Sequence, residues 1–199
     1  EKDHLIQVGV TNVMPRLTVE EDCRVTTRYH KAANRIREAE RGRDAHGTCG
    51  LGIGETKDLA LDGLFINAAD LRNPIRLRAK LHAIRNHYMG VFAHLTRDPS
   101  KAVLPEEVMV IAEEQQLSNI CTDLVMASQQ IKLVDGDYLS TVEGNLIFEG
   151  SQGVLLDQDY GFNPHTTWSD TTQANAWRLL TEIQWNGSVE FIGVMRAFH

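Results

Sequence analysis

Four glycines fall within the eight positions from Gly47 to Gly54, in the run His46-Gly47-Thr48-Cys49-Gly50-Leu51-Gly52-Ile53-Gly54-Glu55. At that density glycine loses too much backbone entropy to sit inside a helix or strand, so the segment is a loop. Its backbone N–H groups are approachable without obstruction by a Cβ, the property that lets glycine-rich loops cradle a phosphate or oxyanion. The spacing fits neither GxxxxGK[ST] nor GxGxxG, because no lysine directly follows Gly52 or Gly54. Taken alone, the run is compatible with an anion cradle and with a plain surface loop.

Charge narrows the partners. Lys and Arg number 20 against 27 Asp and Glu, a formal net charge of −7. That balance argues against a broad grip on nucleic acid, which needs many clustered cations to displace counterions. No apolar stretch approaches the roughly 18 residues of a membrane span, and Glu1-Lys2-Asp3-His4 does not begin a signal peptide. A cytoplasmic protein without membrane or nucleic-acid partners is the expectation. Cys23, Cys49 and Cys121 are widely spaced and form no CxxC pair, so neither a disulfide framework nor a zinc knuckle is indicated. The 199 residues suit one domain, residues 1–199, or the central fragment of a larger one.

The periodicity predicts alternating strands and helices. Asp22 to Thr27 reads as a short strand entering a helix marked by Tyr29, Ala33, Ile36 and Ala39, which Gly42 closes. Between Ile75 and Leu95, Leu77, Leu81, Ile84, Tyr88, Val91 and Leu95 recur at steps of three and four, an amphipathic helix with Pro74 at its first turn. A second long helix is expected from about Pro105, carrying Val108, Ile111, Leu117, Ile120, Leu124 and Ile131. Leu146-Ile147-Phe148 reads as a buried strand opening into Glu149-Gly150-Ser151-Gln152-Gly153. Asp170 and Gln173 form a capping-box pattern before Ala174, Trp177, Leu180 and Ile183, and Val189 to Met195 reads as a last strand. Strand, helix and strand in that order predict a crossover unit, hence an α/β fold with a partial parallel sheet and a substantial helical layer.

Several residues carry candidate chemistry. Cys49, with His46 close by in the loop and His30 as a further candidate imidazole, is either an imidazole-activated nucleophile or an inert residue of a tight turn. His82, His87 and His94 stand at steps of five and seven, which do not pair imidazoles as i, i+4 would, so metal binding is not expected there. The stretch from Phe148 to Asp170 concentrates an amide, carboxylates and hydroxyls between a strand and a capped helix, and suits neutral hydrogen bonding to a nucleotide or ordinary turns and caps. Asp157 and Asp159 are better read as bracing the loop than as ligands of a divalent ion.

Taken in order, Tyr29-His30-Lys31-Ala32 through Glu38, Gly47 to Gly54, Gly63-Leu64 through Asp70-Leu71, Glu149 to Thr167 and Gly193 to His199 resemble adenylosuccinate synthetase. The resemblance implies a P-loop-NTPase-like α/β fold, a homodimer, and reaction of IMP, GTP and aspartate with Mg²⁺. In such a reaction the γ-phosphoryl group of GTP goes to the purine 6-oxygen, and the amine of aspartate then displaces it. Carried over by position, the implied IMP contacts are Cys49, Gln152 and Thr167, with Thr48 a neighbour. The sequence departs from the family in two ways near the loop. Cys49 stands where a Thr is usual, and Glu55 to Asp62 lacks the Arg that reaches a partner's IMP phosphate, leaving Lys57 as the nearby cation. The family's N-terminal phosphate loop, its acid motif, its Arg-rich aspartate loop and its guanine-recognition segment have no counterpart here. No catalytic residue and no metal ligand is therefore assigned in the chain, most GTP and Mg²⁺ contacts are expected outside it, and the isolated chain is expected not to turn over. A non-catalytic nucleotide-binding or assembly module and a ligase for another purine monophosphate are the alternatives.

Overall fold

The computed structural model describes residues 2–195. Two short helices, α1 (Lys2–Gln7) and α2 (Val13–Arg16), lead into strand β1 (Thr18–Glu20) and then the long α3 (Arg28–Arg41). Helices α4 (Ile53–Leu61), α5 (Pro74–Val91), the one-turn α6 (Ala93–Thr96), α7 (Pro105–Ala112) and α8 (Glu114–Ser128) precede strand β2 (Lys132–Val134). Helix α9 (Ala174–Glu182) follows a long, mostly irregular segment. The two strands pair in parallel, with Thr18 opposite Lys132, Val19 opposite Leu133 and Glu20 opposite Val134.

One interior organises the helices. Tyr29, Ala32, Ala33 and Ile36 of α3 join Leu77, Leu81, Ile84 and Tyr88 of α5, Val108 and Ile111 of α7, and Leu117 and Ile120 of α8, all at most 2% exposed. Burial of each large aliphatic side chain contributes roughly 1.5–3 kcal/mol, so this cluster is the main source of stability. Helix α3 begins where the ring Nδ1 of His30 accepts the amide of Thr27 at 3.0 Å, and it ends at Gly42, whose φ of +56° favours glycine. Pro74 opens α5, and the side chain of Asn73 accepts the amide of Arg76 at 3.0 Å.

Several elements differ from the sequence reading. The long apolar period after Pro74 is two helices, because α5 ends at Val91, which is 41% exposed, and Leu95 lies in α6. The helix expected from Pro105 is broken at Glu113, an extended residue between α7 and α8. Arg85 supports that break from α5: its guanidinium donates to the carbonyls of Ile111 at 2.9 Å and Ala112 at 2.7 Å and pairs with Glu114. Of the expected strand Asp22 to Thr27, only Arg24 pairs, in an isolated antiparallel bridge to Asn67, while Val25 donates to the carbonyl of Ile66.

Neither Leu146-Ile147-Phe148 nor Val189 to Met195 forms a strand, and Ile147 is 90% exposed. A strand's N–H and C=O groups need a neighbouring chain, and among the described residues neither segment has one. Arg196 to His199 lie outside the described residues. The expected capping box at Asp170 is a relay instead: Asp170 accepts the amide and hydroxyl of Thr172, whose hydroxyl accepts the amide of Ala174 at 3.2 Å.

Candidate functional site: two polar loops joined by a lysine

The glycine loop retraces α3. After Gly42 the chain reverses through a short turn, Gly42–Asp44, and runs back along the helix it has just left. The carboxylate of Glu38 accepts the amides of His46, Gly47 and Thr48 at 3.4, 3.0 and 3.2 Å, and Arg41 donates to it at 2.6 Å. One turn earlier on α3, Asn34 accepts the hydroxyl of Thr48 at 3.2 Å, and Nε of Arg35 donates to the carbonyl of Gly50 at 3.2 Å. Arg35 also pairs with Glu107 of α7. Near the start of the helix, Gly52 adopts φ +83° so close to the backbone that a Cβ would lie 2.6 Å from both the His30 carbonyl carbon and the Lys31 nitrogen. Only glycine fits there.

Thr48 and Cys49 are thereby brought into one open recess of about 370 Å³, shared with Arg35, Glu38, Ala39, Gly50 and Leu104. Cys49 is exposed. His30 is buried and lies inside the helical packing, and burial lowers its pKa to about 4, so the ring is neutral. Its Nδ1 is taken by Thr27, which removes it as the activating imidazole for an exposed thiol. Beneath the loop, the hydroxyl of Tyr88 donates to the buried carboxylate of Glu55 at 3.3 Å. Burial pushes Glu55 up while Arg37, at 3.3 Å, opposes that shift.

The second loop is folded around Asp157, which is 1% exposed. One carboxylate oxygen accepts the amides of Asp159 and Tyr160 at 2.8 and 3.1 Å, and the other accepts the amide and hydroxyl of Thr171 at 2.7 and 3.3 Å. The amide of Thr171 leads the contacts that hold this carboxyl below the ordinary range. With both oxygens engaged, Asp157 braces the loop. Among the described residues no group of three or more His, Cys, Asp or Glu side chains is placed to hold a metal ion. Thr167 is fixed by its amide, which donates to the carbonyl of Leu156 at 2.7 Å, and its hydroxyl has no partner among the described residues. Gln152 is exposed and holds φ +64°, an unusual conformation for a residue with a side chain. His82 and His94 are exposed on α5 and α6, and His87 is half-buried.

Lys57 ties the second loop to α4, the helix that follows the glycine loop. Its ammonium donates to the side-chain carbonyl of Gln158 at 2.7 Å and to the main-chain carbonyl of Trp168 at 2.6 Å. By sequence Lys57 is the cation nearest the missing arginine, and its contacts here are two neutral oxygens, of Gln158 and Trp168. Residue type alone also misses Asn34, Arg35 and Glu38. The available signal was the i, i+4 spacing of Asn34 and Glu38 on a helix that glycine ends shortly before the loop.

A sequence model described as adenylosuccinate synthetase matches residues 1–199. The adenylosuccinate synthetase of Neisseria meningitidis serogroup C (strain 053442) is 37% identical over 173 residues, covering 85% of this chain and 38% of that protein. The Desulfovibrio desulfuricans (strain ATCC 27774 / DSM 6949 / MB) adenylosuccinate synthetase is 32% identical over 178 residues, covering 88% of this chain and 40% of that protein. The chain thus spans about two-fifths of the length of these relatives. The solved structure of fully ligated adenylosuccinate synthetase from Plasmodium falciparum superposes with a TM-score of 0.66 at 18% identity, over 93% of this chain and 40% of that one. That likeness shows the P-loop-NTPase-like α/β fold, of which the parallel pair β1–β2 and the helical layer are a part. By the family match over all of its residues, the chain belongs to the adenylosuccinate synthetase family.

Proposed function

We propose that these residues form the purine-monophosphate-binding part of an adenylosuccinate synthetase, a GTP-dependent carbon–nitrogen ligase that joins IMP to aspartate in AMP synthesis. The observation that carries this reading is the Lys57 contact, which fastens the loop of Thr167 to the helix that continues directly from the glycine loop. Thr48, Cys49, Gln152 and Thr167 are the proposed contacts to the nucleotide. An exposed amide at φ +64° and a hydroxyl without an internal partner are neutral hydrogen-bonding groups suited to a purine, ribose or phosphate oxygen.

The chemistry asked of the whole enzyme is phosphorylation of a poor leaving oxygen followed by displacement with an amine, steps governed by positioning and charge neutralisation. The contribution of this chain is positioning. Mg²⁺ supplies charge neutralisation at the transferred phosphoryl group in the family. On this reading no catalytic step is assigned to the described residues. The acid, the base and most GTP contacts are assigned to other residues, and on this reading the isolated chain does not turn over. A homodimer in the cytoplasm completes the proposal. Among the described residues no helix is long and apolar enough to cross a membrane, which is compatible with that location. A second reading, a ligase for another purine monophosphate, is favoured by Cys49 in the loop and by the absence of arginine between Glu55 and Asp62.

Calorimetric titration with IMP, GMP, AMP and GTP tests both readings without requiring turnover. Gln152→Ala and Thr167→Ala are each expected to weaken purine-monophosphate binding by roughly 0.5–1.5 kcal/mol, the range of a neutral hydrogen bond. Unchanged affinity in both variants removes the assignment, and a preference for GMP over IMP selects the second reading.

A further inference from the structure

The amides of His46, Gly47 and Thr48 converge on one carboxylate, that of Glu38, at 3.4, 3.0 and 3.2 Å. Successive N–H groups that converge in this way make a concavity for an anion. Here the chain itself supplies the anion. The Glu38 side chain is 15% exposed and is held by Arg41 at 2.6 Å, so it is fixed from its own helix. Thr48 is fixed twice, by its amide on Glu38 and by its hydroxyl on Asn34, one helical turn away on the same face of α3. Cys49 follows directly, and the next carbonyl, of Gly50, is held by Arg35. Among the described residues neither the amide nor the thiol of Cys49 has a partner.

We infer that Glu38 is a positioning residue: it occupies the anion seat formed by His46, Gly47 and Thr48, and so orients Thr48 and Cys49 toward a purine monophosphate. Those three amides are accordingly not the phosphate receptor. This inference rests on the reading that Thr48 and Cys49 touch the nucleotide. A different physical picture makes Glu38 a competitor that the ligand phosphate must displace, and the two pictures predict opposite signs.

The test is calorimetric titration of the full chain with IMP for the unsubstituted protein, Glu38→Gln, Glu38→Asp, and the double variant Thr48→Ala/Cys49→Ala with and without Glu38→Gln. Amide hydrogen exchange at residues 46–48 is followed alongside. Glutamine keeps the size of the side chain but replaces one accepting oxygen with a donor. Glu38→Gln is therefore expected to speed exchange at 46–48 and weaken IMP binding about tenfold, the effect of losing a charged acceptor. Glu38→Asp should fall between it and the unsubstituted chain. In the Thr48→Ala/Cys49→Ala background the same change should cost less than about twofold, because residues acting through one another are not additive.

Unchanged or tighter binding by Glu38→Gln, while Thr48→Ala/Cys49→Ala weakens it, overturns the role of Glu38 and leaves the proposed function standing. No effect of Thr48→Ala/Cys49→Ala removes the glycine loop from the nucleotide site, and the inference with it. Absence of IMP binding by the unsubstituted chain removes the proposed function and the inference together. Should Glu38→Gln unfold, seen as fast exchange throughout residues 77–88, Glu38→Asp decides by the same criteria.

Discussion

Residues 46–52 and residues 149–171 are both polar and punctuated by glycine, yet the first run lies along a helix of the buried core while the second is closed on a single carboxylate of its own. Asn34, Arg35, Glu38 and the backbone at His30 position the glycine loop, and all of them belong to α3, whose other face is the interior. The second loop draws its order from Asp157 and from Lys57, and its apolar residues Leu155 and Phe162 are exposed. Similar composition therefore gives two kinds of order. One is inherited from core packing, and the other is a local network whose stability is separable from the core.

The largest expected difference lies in the apolar residues themselves. Leu81→Ala, at a fully buried position, should cost roughly 2–5 kcal/mol in denaturant unfolding, whereas Ile147→Ala should stay within about 0.5 kcal/mol. A cost for Ile147→Ala close to that of Leu81→Ala would show that the segment leading into the second loop is covered in solution, and the contrast would weaken. Glycines give the next contrast. Gly52→Ala should destabilise by roughly 2–4 kcal/mol, because φ +83° and the backbone of His30 oppose a Cβ together. Gly153→Ala, with open space and φ −132°, should be within about 0.5 kcal/mol of neutral by the same thermal or denaturant measurement.

The smallest effect is the acid response of the loops. The folded-state pKa of Asp157 is depressed, first by the amide of Thr171. Its contribution is present above the ordinary carboxylate pKa and is lost as pH falls through the depressed value. Burial pushes Glu38 up, but the amide of Thr48 and Arg41 more than offset this and leave it lowered, so the sign is the same. Hydrogen exchange at Tyr160 and Thr171 should accelerate on that acid limb, and Asp157→Asn should flatten the response. The glycine loop should respond less, since the Thr48 hydroxyl on Asn34 and the seat of Gly52 against the His30 backbone also hold it. An equal response in the two loops would contradict the different origins of their order.

Much of the helical layer was legible in the sequence. The three- and four-residue spacing through Tyr29, Ile36, Leu77, Leu81, Ile84 and Tyr88 reports burial directly, and Gly42 and Pro74 mark real ends. The break at Glu113 was not legible, because the group that stabilises it is Arg85 from another helix. The apolar runs at 146–148 and 189–195 have strand composition, but composition cannot supply the neighbour that a ladder requires. Within the candidate site, the glycine spacing identified a loop and the family resemblance named Thr48, Cys49, Gln152 and Thr167. The partners of Lys57 lie 101 and 111 positions away, beyond the reach of any local pattern. Glu38 was hidden for a different reason: on a helix it reads as an ordinary surface charge until the chain doubles back.

That doubling back restricts how this part of the chain can change its length. One residue inserted into α3 between His30 and Asn34 would turn the downstream side chains by about 100° around the helix axis. Asn34, Arg35 and Glu38 would then swing off the face along which the loop runs, while the support under Gly52 stayed where it was. Helix and loop are in this sense geared together, and a viable insertion or deletion must come in whole turns matched by a compensating change between Gly42 and Gly52.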